Sequence, residues 1–397
     1  MFAAMYPNLT LKSGRDRSVI NRHPWIFSGG VKQLPDAQNG DIVQVLDNQD
    51  KRLGYGFFSP QSQIVCRMFE FTDQSLDFGQ ADYWHRKIRV AHEIRQQYVL
   101  SGQTNACRLL HAEGDFLPGI IADLYGDLAV VQLMVKGTEK ILPHLISGLQ
   151  QIGVQAVYLK NKHNPGFREA VELANGFLTD GGLAEPKMIL ENGLKFKVDF
   201  ENGQKTGFFL DQRENRELLK RYVAGKKVLN AFSYTGGFSV YALAGGAREV
   251  HSVDMSKDAI AMAQENSILN FGQTPAHQTI VADCFEYLRR APDDYEVMVL
   301  DPPAFAKNAK SVPNAARGYK DLNLTAFRKI KPGGVVFTFS CSQNIDRDLF
   351  RKIVFAAAAD ARRNVRILHQ LTQPLDHPVN IFHPEGEYLK GLVLHVE

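Results

Sequence analysis

From residue 227 onward, the sequence alternates between short apolar runs and longer segments with helical periodicity. The apolar runs, which predict β-strands, cover residues 227–231, 249–254, 278–282, 296–300, 334–339, 365–371 and 392–396. The intervening segments, which predict α-helices, cover residues 238–244, 257–270, 284–290, 321–330 and 346–361. Strands that alternate with helices in this way form a doubly wound α/β sheet. This pattern leaves few other folds open to the C-terminal half of the chain.

Three of the predicted strands are followed by residues that can take part in catalysis or ligand binding. Cys341 follows one apolar run, Asp301 follows another, and a glycine-containing loop follows a third. In open α/β sheets the carboxyl ends of the strands meet at one edge, where ligands bind. We therefore expect these strand ends to form one site, with Cys341 as its nucleophile. The competing interpretation makes Cys341 a small buried apolar residue, which is the commonest role of a cysteine outside a disulfide.

The glycine-containing loop predicts a cofactor pocket. It reads Tyr234, Thr235, Gly236 and Gly237. Glycines let a cofactor approach the backbone closely, but the loop lacks the GxGxxG pattern and the Walker lysine. Asp254 ends the next strand, where it can bind both hydroxyls of a ribose, and Asp283 follows the third strand, where it can accept from an adenine amino group. A nucleoside pocket without a pyrophosphate cradle points to S-adenosylmethionine (SAM) rather than NAD or ATP.

The run Asp301-Pro302-Pro303 indicates a specific reaction more strongly than the glycine-containing loop does. The two prolines remove backbone donors and stiffen the chain, which holds Asp301 at the strand end. Together with Cys341, this carboxyl suits methylation of a pyrimidine at carbon 5, an atom that is too weakly nucleophilic by itself. A thiolate that adds at carbon 6 makes carbon 5 enamine-like, and a carboxyl at nitrogen 3 offsets the developing negative charge. The alternative is a proline-rich turn with a solvated aspartate.

The length of 397 residues predicts two or three domains. Residues 1–75 predict a β-rich unit, and residues 76–185 predict a small α/β unit. The latter begins with a helix over residues 80–100, whose inward face is predicted to carry Tyr83, Ile88, Ala91 and Ile94. A linker is expected over residues 181–193, and the doubly wound domain over 190–397.

Basic residues concentrate in two segments, although the net charge is only +3. The first covers residues 12–32 and the second covers 305–331. Such segments predict a surface that faces a polyanion, and solvated helix faces are the alternative. Lys307 and Lys310 in the second segment are also candidates to favour the thiolate form of Cys341.

The first basic segment also carries aromatic residues. Residues 22–29 are expected to form a loop that leads into a short helix, and Trp25 and Phe27 to fill the interior of the β-rich unit. The patterns Lys12-x-Gly14-Arg15 and Arg22-His23-Pro24-Trp25 resemble those of a PUA domain, an RNA-binding β-barrel module. The resemblance implies that Lys12, Arg15 and Arg22 contact RNA.

Five further motifs carry a closer resemblance. They are QKTGFFLDQR at 204–213, NAFSYTGGF at 230–238, DPP at 301–303, SCS at 340–342 and PEGEYLKG at 384–391. Together they resemble the bacterial 23S ribosomal RNA cytosine-5 methyltransferase family over essentially the whole chain. The resemblance implies a PUA-like domain, a middle α/β domain and a C-terminal Rossmann-like SAM-dependent methyltransferase domain. It makes Cys341 the nucleophile and places in the cofactor or base pocket Gln212, Phe232, Tyr234, Asp254, Asp283 and Asp301.

One departure from this resemblance keeps other functions open. Many RNA cytosine-5 methyltransferases carry a second cysteine where this chain has Asp301-Pro302-Pro303, so another group must help to release the product. Methylation of uracil at carbon 5, which also uses one late cysteine, is therefore an alternative. A non-catalytic RNA-binding factor on a methyltransferase fold and a small-molecule methyltransferase are two further ones.

The remaining sequence features concern location. The four cysteines Cys66, Cys107, Cys284 and Cys341 lie far apart without metal or redox spacing, as in a reduced cytoplasmic protein. No apolar run is long enough to span a bilayer, and the first residues do not form a signal peptide. We expect a cytoplasmic enzyme with ribosomal RNA as its partner and no membrane contact. A homodimer is one candidate assembly.

Overall fold

The computed structural model describes residues 6–161, 171–180, 187–306 and 308–397. The chain divides into two compact units. Unit 1 comprises Met1–Ile189, Val198–Phe208 and Leu375–Gly386. Unit 2 comprises Leu190–Lys197, Phe209–Pro374 and Glu387–Glu397. The domain boundaries at residues 75 and 185 stay predictions.

The first sheet of unit 1 confirms the β-rich start of the chain. Its strands are β1 (Asn8–Leu11), β2 (Trp25–Phe27), β3 (Val31–Gln33), β4 (Ile42–Leu46), β5 (Arg52–Phe58) and β6 (Ile64–Glu70). Within the described residues they form a six-stranded sheet in the order β2-β6-β5-β4-β1-β3. A short helix, α1 (Arg17–Ile20), lies between β1 and β2.

The structure corrects the prediction for residues 22–29. Trp25–Phe27 is strand β2, paired with β6, rather than part of a loop. Phe27 does not fill the interior, since 51% of its surface is exposed. Trp25 is only partly buried: its indole N–H donates to the Glu113 carboxylate over 2.8 Å, and its ring lies 4.4 Å from that of His383. The aromatic residues of this motif are thus partly at the surface.

A second sheet of unit 1 follows in the chain. Its elements are α2 (Ala81–Tyr98), β7 (Ala106–His111), β8 (Ile120–Tyr125), β9 (Leu128–Leu133), α3 (Leu142–Gln151), β10 (Ala156–Leu159) and β11 (Gly176–Phe177). The strand order among the described residues is β11-β10-β9-β8-β7. Phe57 and Phe69 of the first sheet share one hydrophobic core with Trp84 of α2 and Leu109 of β7. The two sheets of unit 1 are therefore packed around a common interior.

The buried face of α2 differs from the prediction by one position. Ile88 and Ala91 are buried as predicted, but Ile94 is 42% exposed and the neighbouring Arg95 is fully buried. The Arg95 guanidinium can be buried because it pairs with both carboxylate oxygens of Asp115, at 2.6 and 2.8 Å. A buried charge is tolerated when it is paired and hydrogen-bonded in this way. Apolar periodicity alone cannot identify such a position.

Unit 2 contains the doubly wound sheet that the alternating pattern predicts. Its strands are β14 (Lys227–Ala231), β15 (Glu249–Asp254), β16 (His277–Val281), β17 (Val297–Leu300), β18 (Gly334–Ser340), β19 (Val365–Leu371) and β20 (Lys390–Val396). Their order within the described residues is β16-β15-β14-β17-β18-β20-β19. Strands β14 to β18 are parallel neighbours, whereas β20 pairs antiparallel with both β18 and β19. The sheet is thus mixed at one side.

Three of the described helices of unit 2 begin after a residue whose side chain caps them. The described α-helices of this unit are α4 (Arg213–Leu219), α5 (Gly237–Ala244), α6 (Lys257–Phe271), α7 (Cys284–Arg290), α8 (Val312–Lys329) and α9 (Arg347–Ala361). The side chains of Ser256, Asp283 and Asp346 accept from backbone N–H groups in the first turns of α6, α7 and α9. Helix α8 begins well before the predicted residue 321, directly after a capping box formed by Asn308 and Ser311.

The predicted linker over residues 181–193 contains regular structure. Residues 181–186 lie outside the described residues. The following strands β12 (Lys187–Glu191) and β13 (Leu194–Val198) pair in a two-stranded sheet. Among the described helices, none combines the length and apolar character needed to cross a membrane.

Candidate active site

The parallel strands of unit 2 bring the predicted site residues to one edge of the sheet. Ala231 pairs in register with Val253 on one side and with Leu300 on the other, and Leu300 pairs with Thr338. The residues that follow these strands therefore emerge side by side. The direction of the strand order reverses between β14 and β17, which is the point where doubly wound sheets bind ligands.

The loop after β14 has an unusual backbone conformation. Phe232 and Tyr234 have positive φ angles of 60° and 45°, and Gly236 has one of 79°. A non-glycine residue in this region costs about 1–2 kcal/mol, so the surrounding contacts must hold the loop in place. Gly236 is required by packing as well, because a Cβ there would lie 2.8 Å from the Ala263 side chain of α6. The loop is thereby drawn close against the helices that flank it.

Asp254 fixes this loop from the next strand. One carboxylate oxygen accepts from the Tyr234 N–H and the other from the Ser256 N–H, both over 2.9 Å. Each carboxylate oxygen can accept a second hydrogen bond, and the residue is only partly buried. The structure thus leaves Asp254 able to orient the loop and to accept from the hydroxyls of a ribose at the same time.

Asp283 and a row of three phenylalanine rings, the first of them in the loop itself, lie in this region. Asp283 is partly exposed and caps α7, with one oxygen accepting from the Glu286 N–H over 2.9 Å. The Phe232 ring meets the Phe285 ring edge to face at 5.9 Å, and Phe285 lies 6.0 Å from Phe305. These rings form an apolar surface near the Asp283 carboxylate, a combination that is suited to a planar base.

Gln212 lies among several buried polar side chains. Gln212 is predicted from the sequence, but its partners are not. Its side-chain oxygen accepts from Asn215 over 2.7 Å, and the neighbouring Asp211 accepts from the Tyr388 hydroxyl over 2.8 Å. Arg216, one turn later, forms two hydrogen bonds of 2.8 and 2.7 Å with the Glu191 carboxylate. Both members of this ion pair are almost completely buried. The pair therefore anchors the segment that carries Gln212.

The Asp301 and Cys341 segments are tied together through Ser342. The Ser342 hydroxyl accepts from the Ala306 N–H over 3.1 Å and shares a hydrogen bond of 3.0 Å with the Tyr319 hydroxyl. Asp301 directly follows β17 and Cys341 directly follows β18, and these strands are paired neighbours. The structure thus places the two predicted catalytic residues at adjacent strand ends, and both are partly exposed.

The other three cysteines are unsuited to act as nucleophiles. Cys66, Cys107 and Cys284 are buried, whereas Cys341 is only partly buried. Burial raises the pKa of the Cys284 thiol to about 12, and it also raises the pKa of the Cys66 thiol. The Cys284 sulfur also contacts the protein backbone, accepting from the Phe232 N–H and donating to the Val253 carbonyl. These contacts favour a structural role for Cys284.

Comparisons with known proteins identify the family. A profile for PUA-like domains matches residues 9–71, and a profile for S-adenosylmethionine-dependent methyltransferases matches residues 108–380. Ribosomal RNA large subunit methyltransferase I of Klebsiella pneumoniae is 40% identical to this chain, over 100% of both chains. The Shewanella denitrificans protein of that name is 41% identical, over 98% of this chain and 99% of its own. The chain belongs to the S-adenosylmethionine-dependent methyltransferase family.

Solved structures agree with this assignment. A crystal structure of a protein assigned as a methyltransferase, complexed with SAH, has a TM-score of 0.85 and 26% identity. A protein assigned as a SAM-dependent methyltransferase from Streptococcus mutans has a TM-score of 0.83 and 25% identity. Each comparison covers 98% of this chain and 100% of the other. The family resemblance, the fold class and the predicted cofactor, SAM, are confirmed for this methyltransferase.

The residues of this methyltransferase fit SAM at the edge of the sheet. The Ser233 hydroxyl and the Asn230 side-chain oxygen are buried without a hydrogen-bond partner among the described residues. Such groups near a glycine loop are suited to a polar ligand, because a buried polar atom without a partner is costly. Asp254 has the acceptor capacity for a ribose, and Asp283 lies at the next strand end.

The predicted RNA-binding residues lie in unit 1. Lys12, Arg15 and Arg22 are exposed, and the Lys12 ammonium donates to the Gly29 carbonyl over 3.0 Å. The second basic segment is partly neutralised, since Lys320 pairs with Asp360 at 2.7 Å and Lys329 with Asp293 at 2.8 Å. The first segment is therefore the better candidate for contact with a polyanion.

Proposed function

We propose that this methyltransferase transfers a methyl group to carbon 5 of a cytosine in 23S ribosomal RNA, through a covalent bond between Cys341 and carbon 6. The relatives named above carry the name ribosomal RNA large subunit methyltransferase I. The observation that carries the proposal is the position of Cys341. It is the partly exposed cysteine of the chain, and it follows the strand beside the one that ends at Asp301.

The two strand ends divide the chemistry between them. The Cys341 thiolate adds to carbon 6 of the base, which transfers electron density to carbon 5. The Asp301 carboxyl hydrogen-bonds at nitrogen 3 and stabilises the charge that develops on the ring. When bound, SAM supplies the electrophilic methyl group. A base then takes the carbon-5 proton, and the electron pair of that C–H bond re-forms the double bond between carbons 5 and 6 as the thiolate leaves carbon 6.

The remaining proposed site residues hold SAM. Gln212, Phe232 and the loop residues Tyr234, Thr235, Gly236 and Gly237 surround it, with Asp254 at the ribose and Asp283 at the adenine. Residues 1–75 present the RNA through Lys12, Arg15 and Arg22. Uracil-5 methylation stays the closest alternative, because the chain has one cysteine at the proposed site.

Sequencing of ribosomal RNA tests the product of the reaction. Bisulfite sequencing of total RNA from wild-type and gene-deletion cells should reveal one cytosine in 23S ribosomal RNA that is protected only in the wild type. The protection should return when the wild-type gene is supplied. If every protected cytosine persists in the deletion strain, the proposed product is wrong. Mass spectrometry of digested RNA would then detect 5-methyluridine if uracil is the target.

Replacement of Asp254 by alanine should weaken SAM binding by roughly 10- to 100-fold for each ribose hydrogen bond that is lost, because charged hydrogen bonds contribute about 1.5–3 kcal/mol each. The same change removes the acceptor for the Tyr234 N–H. Isothermal titration calorimetry with SAM and with SAH measures the loss. Asp258→Ala is a matched control, since Asp258 lies in the exposed first turn of α6. Wild-type affinity in Asp254→Ala would remove Asp254 from the cofactor site.

The triple variant Lys12→Ala, Arg15→Ala, Arg22→Ala should bind RNA with a weaker dependence on salt. Each phosphate that a basic side chain no longer neutralises reduces the slope of log K against log salt concentration by about 0.7–0.9. If each of the three residues neutralises one phosphate, the slope should fall by roughly 2 to 3. Filter binding of a 23S ribosomal RNA fragment at several salt concentrations measures the slope.

A control for this variant removes the same charge elsewhere in unit 1. Lys51, Arg86 and Arg89 are exposed, and their replacement by alanine should leave the slope unchanged. Equal slopes for the two triple variants would show that the three predicted residues have no special role in RNA binding.

A further inference from the structure

Lys390 is a buried lysine on the strand that borders Cys341. It begins β20 and pairs in register with Ser340, the residue before Cys341. Its ammonium group donates to the carbonyl of Ser342, the residue after Cys341, and to the carbonyl of Tyr388, each over 2.7 Å. Only 4% of the residue is exposed. The lysine is therefore fixed to the backbone on both sides of the proposed nucleophile.

The pKa of Lys390 depends on the charge of Cys341. Burial is the main influence on Lys390 and lowers its pKa to about 8. A negative charge on Cys341 is the largest influence in the opposite direction, followed by Glu387 and Asp346, whereas Arg347 lowers the pKa further. Attraction between two groups is mutual, so an ammonium that is stabilised by the thiolate also stabilises the thiolate.

The two hydrogen bonds of Lys390 to backbone carbonyls leave a third position on its side-chain nitrogen. An ammonium group has three N–H donors, and the carbonyls of Ser342 and Tyr388 take two of them. A neutral amine in the same place would keep two donors for these carbonyls and direct its lone pair to the third position. The side chain can thus hold or release one proton without losing its anchoring bonds.

We propose that Lys390 ionises Cys341 by accepting its proton and then holds the thiolate as an ammonium. In this step the S–H bond breaks and an N–H bond forms, so that thiol and amine become thiolate and ammonium without a further reactant. The inference rests on the proposed function, in which Cys341 is the nucleophile. Lys390 acts through Cys341 and is a positioning residue.

Lys390 takes the place of the lysines predicted from the sequence. Lys310 is exposed, and Lys307 lies outside the described residues. A buried ammonium favours a thiolate more strongly than an exposed one, because solvent screens the exposed charge. The structure therefore favours Lys390 over Lys310 as the source of positive potential.

The rate of Cys341 alkylation as a function of pH tests this inference without RNA. Iodoacetamide is added to the full chain, and the Cys341 peptide is quantified by mass spectrometry. Lys390→Met should raise the pH midpoint of alkylation by about one unit or more and slow the reaction at pH 7 about tenfold. Lys390→Arg retains the positive charge and should keep the midpoint within about half a unit of wild type. Equal midpoints for wild type and Lys390→Met would overturn the inference.

A matched control and a reciprocal variant complete the test. Lys227→Met removes another largely buried lysine, at the amino end of β14, and should leave the midpoint unchanged. A shift of equal size in Lys227→Met would assign the effect to general loosening of the fold. If Lys390→Met fails to fold, Cys341→Ala should lower the pKa of Lys390, which competitive acetylation of the lysines measures. An unchanged Lys390 pKa in that variant would equally overturn the inference.

These measurements separate the inference from the proposed function. If Cys341→Ala still methylates RNA while Lys390→Met shifts the alkylation midpoint, the proposed mechanism fails and the pairing of the two residues stands. If Cys341 is essential for methylation and the midpoint does not respond to Lys390, the role of Lys390 fails and the mechanism stands.

Discussion

Replacement of Cys341 by alanine should lower methyl transfer by about three orders of magnitude or more, because removal of a covalent nucleophile typically has an effect of that size. Binding of SAM and RNA should change little, since a small thiol at a strand end contributes few contacts to either ligand. Transfer of tritium from labelled SAM to 23S ribosomal RNA measures turnover, and calorimetry measures the SAM affinity. Residual turnover within about tenfold of wild type would contradict the nucleophile assignment.

A covalent intermediate gives a second readout of the same residue. RNA with 5-fluorocytosine at the target should form a complex with the wild-type protein that survives denaturation, because fluorine cannot leave carbon 5 as a proton does. Cys341→Ala should form no such complex. Cys66→Ala and Cys107→Ala are the controls, since both cysteines are buried in unit 1 and should tolerate alanine with at most a modest loss of stability. An adduct that forms without Cys341 would place the nucleophile elsewhere.

The sequence predicted the sheet of unit 2 well because its signals are local. The apolar runs of β15 and β19 have the predicted bounds, and β14 does as well. Strand ends are marked by the polar residues that follow, such as Asp301 after β17. Parallel strands share one direction, so residues at their carboxyl ends must meet at one edge once the alternation is recognised. This geometry made the juxtaposition of the Asp301 and Cys341 segments predictable.

The parts that escaped prediction depend on contacts between distant residues. Arg95 occupies a buried position of α2 because Asp115 neutralises it, and apolar periodicity favours Ile94 instead. Lys390 lies within the motif at 384–391, yet nothing in that motif shows that its ammonium reaches the carbonyl after Cys341. Burial and charge pairing arise from the folded chain, so the chemistry of such residues becomes visible only in the structure.

Replacement of Glu191 by alanine should destabilise unit 2 by about 3–5 kcal/mol, because it leaves the Arg216 guanidinium buried without its carboxylate partner. The variant should also weaken SAM binding. Arg216 donates to the Phe209 carbonyl over 2.9 Å, and its Cδ atom would lie 3.1 Å from a Cβ placed on Gly237. A displaced Arg216 therefore disturbs the segment that carries Gln212 and the start of α5 together.

The measurement must report on unit 2 rather than on unit 1. Both tryptophans of the chain, Trp25 and Trp84, belong to unit 1, so tryptophan fluorescence follows that unit. Cys284 is buried in unit 2, and pulsed alkylation of its thiol in increasing urea follows the opening of unit 2. In Glu191→Ala, the urea concentration at which Cys284 becomes accessible to alkylation should be lower than in the wild type. Lys320→Ala breaks an exposed ion pair with Asp360. It should lower the free energy of unfolding of unit 2 by at most about 1 kcal/mol.

A double variant distinguishes two effects on stability: loss of the attraction between Glu191 and Arg216, and the cost of a buried charge without a partner. Arg216→Met in the Glu191→Leu background removes both charges and leaves two apolar side chains in the same buried space. Because no unpaired charge remains, the double variant should lose much less stability than the two single variants added together. If Glu191→Ala shifted the Cys284 transition no more than Lys320→Ala does, the buried pair would have no special role. Recovery of SAM affinity in the double variant would show that the position of the Gln212 segment, rather than the charge of Arg216, supports the cofactor site.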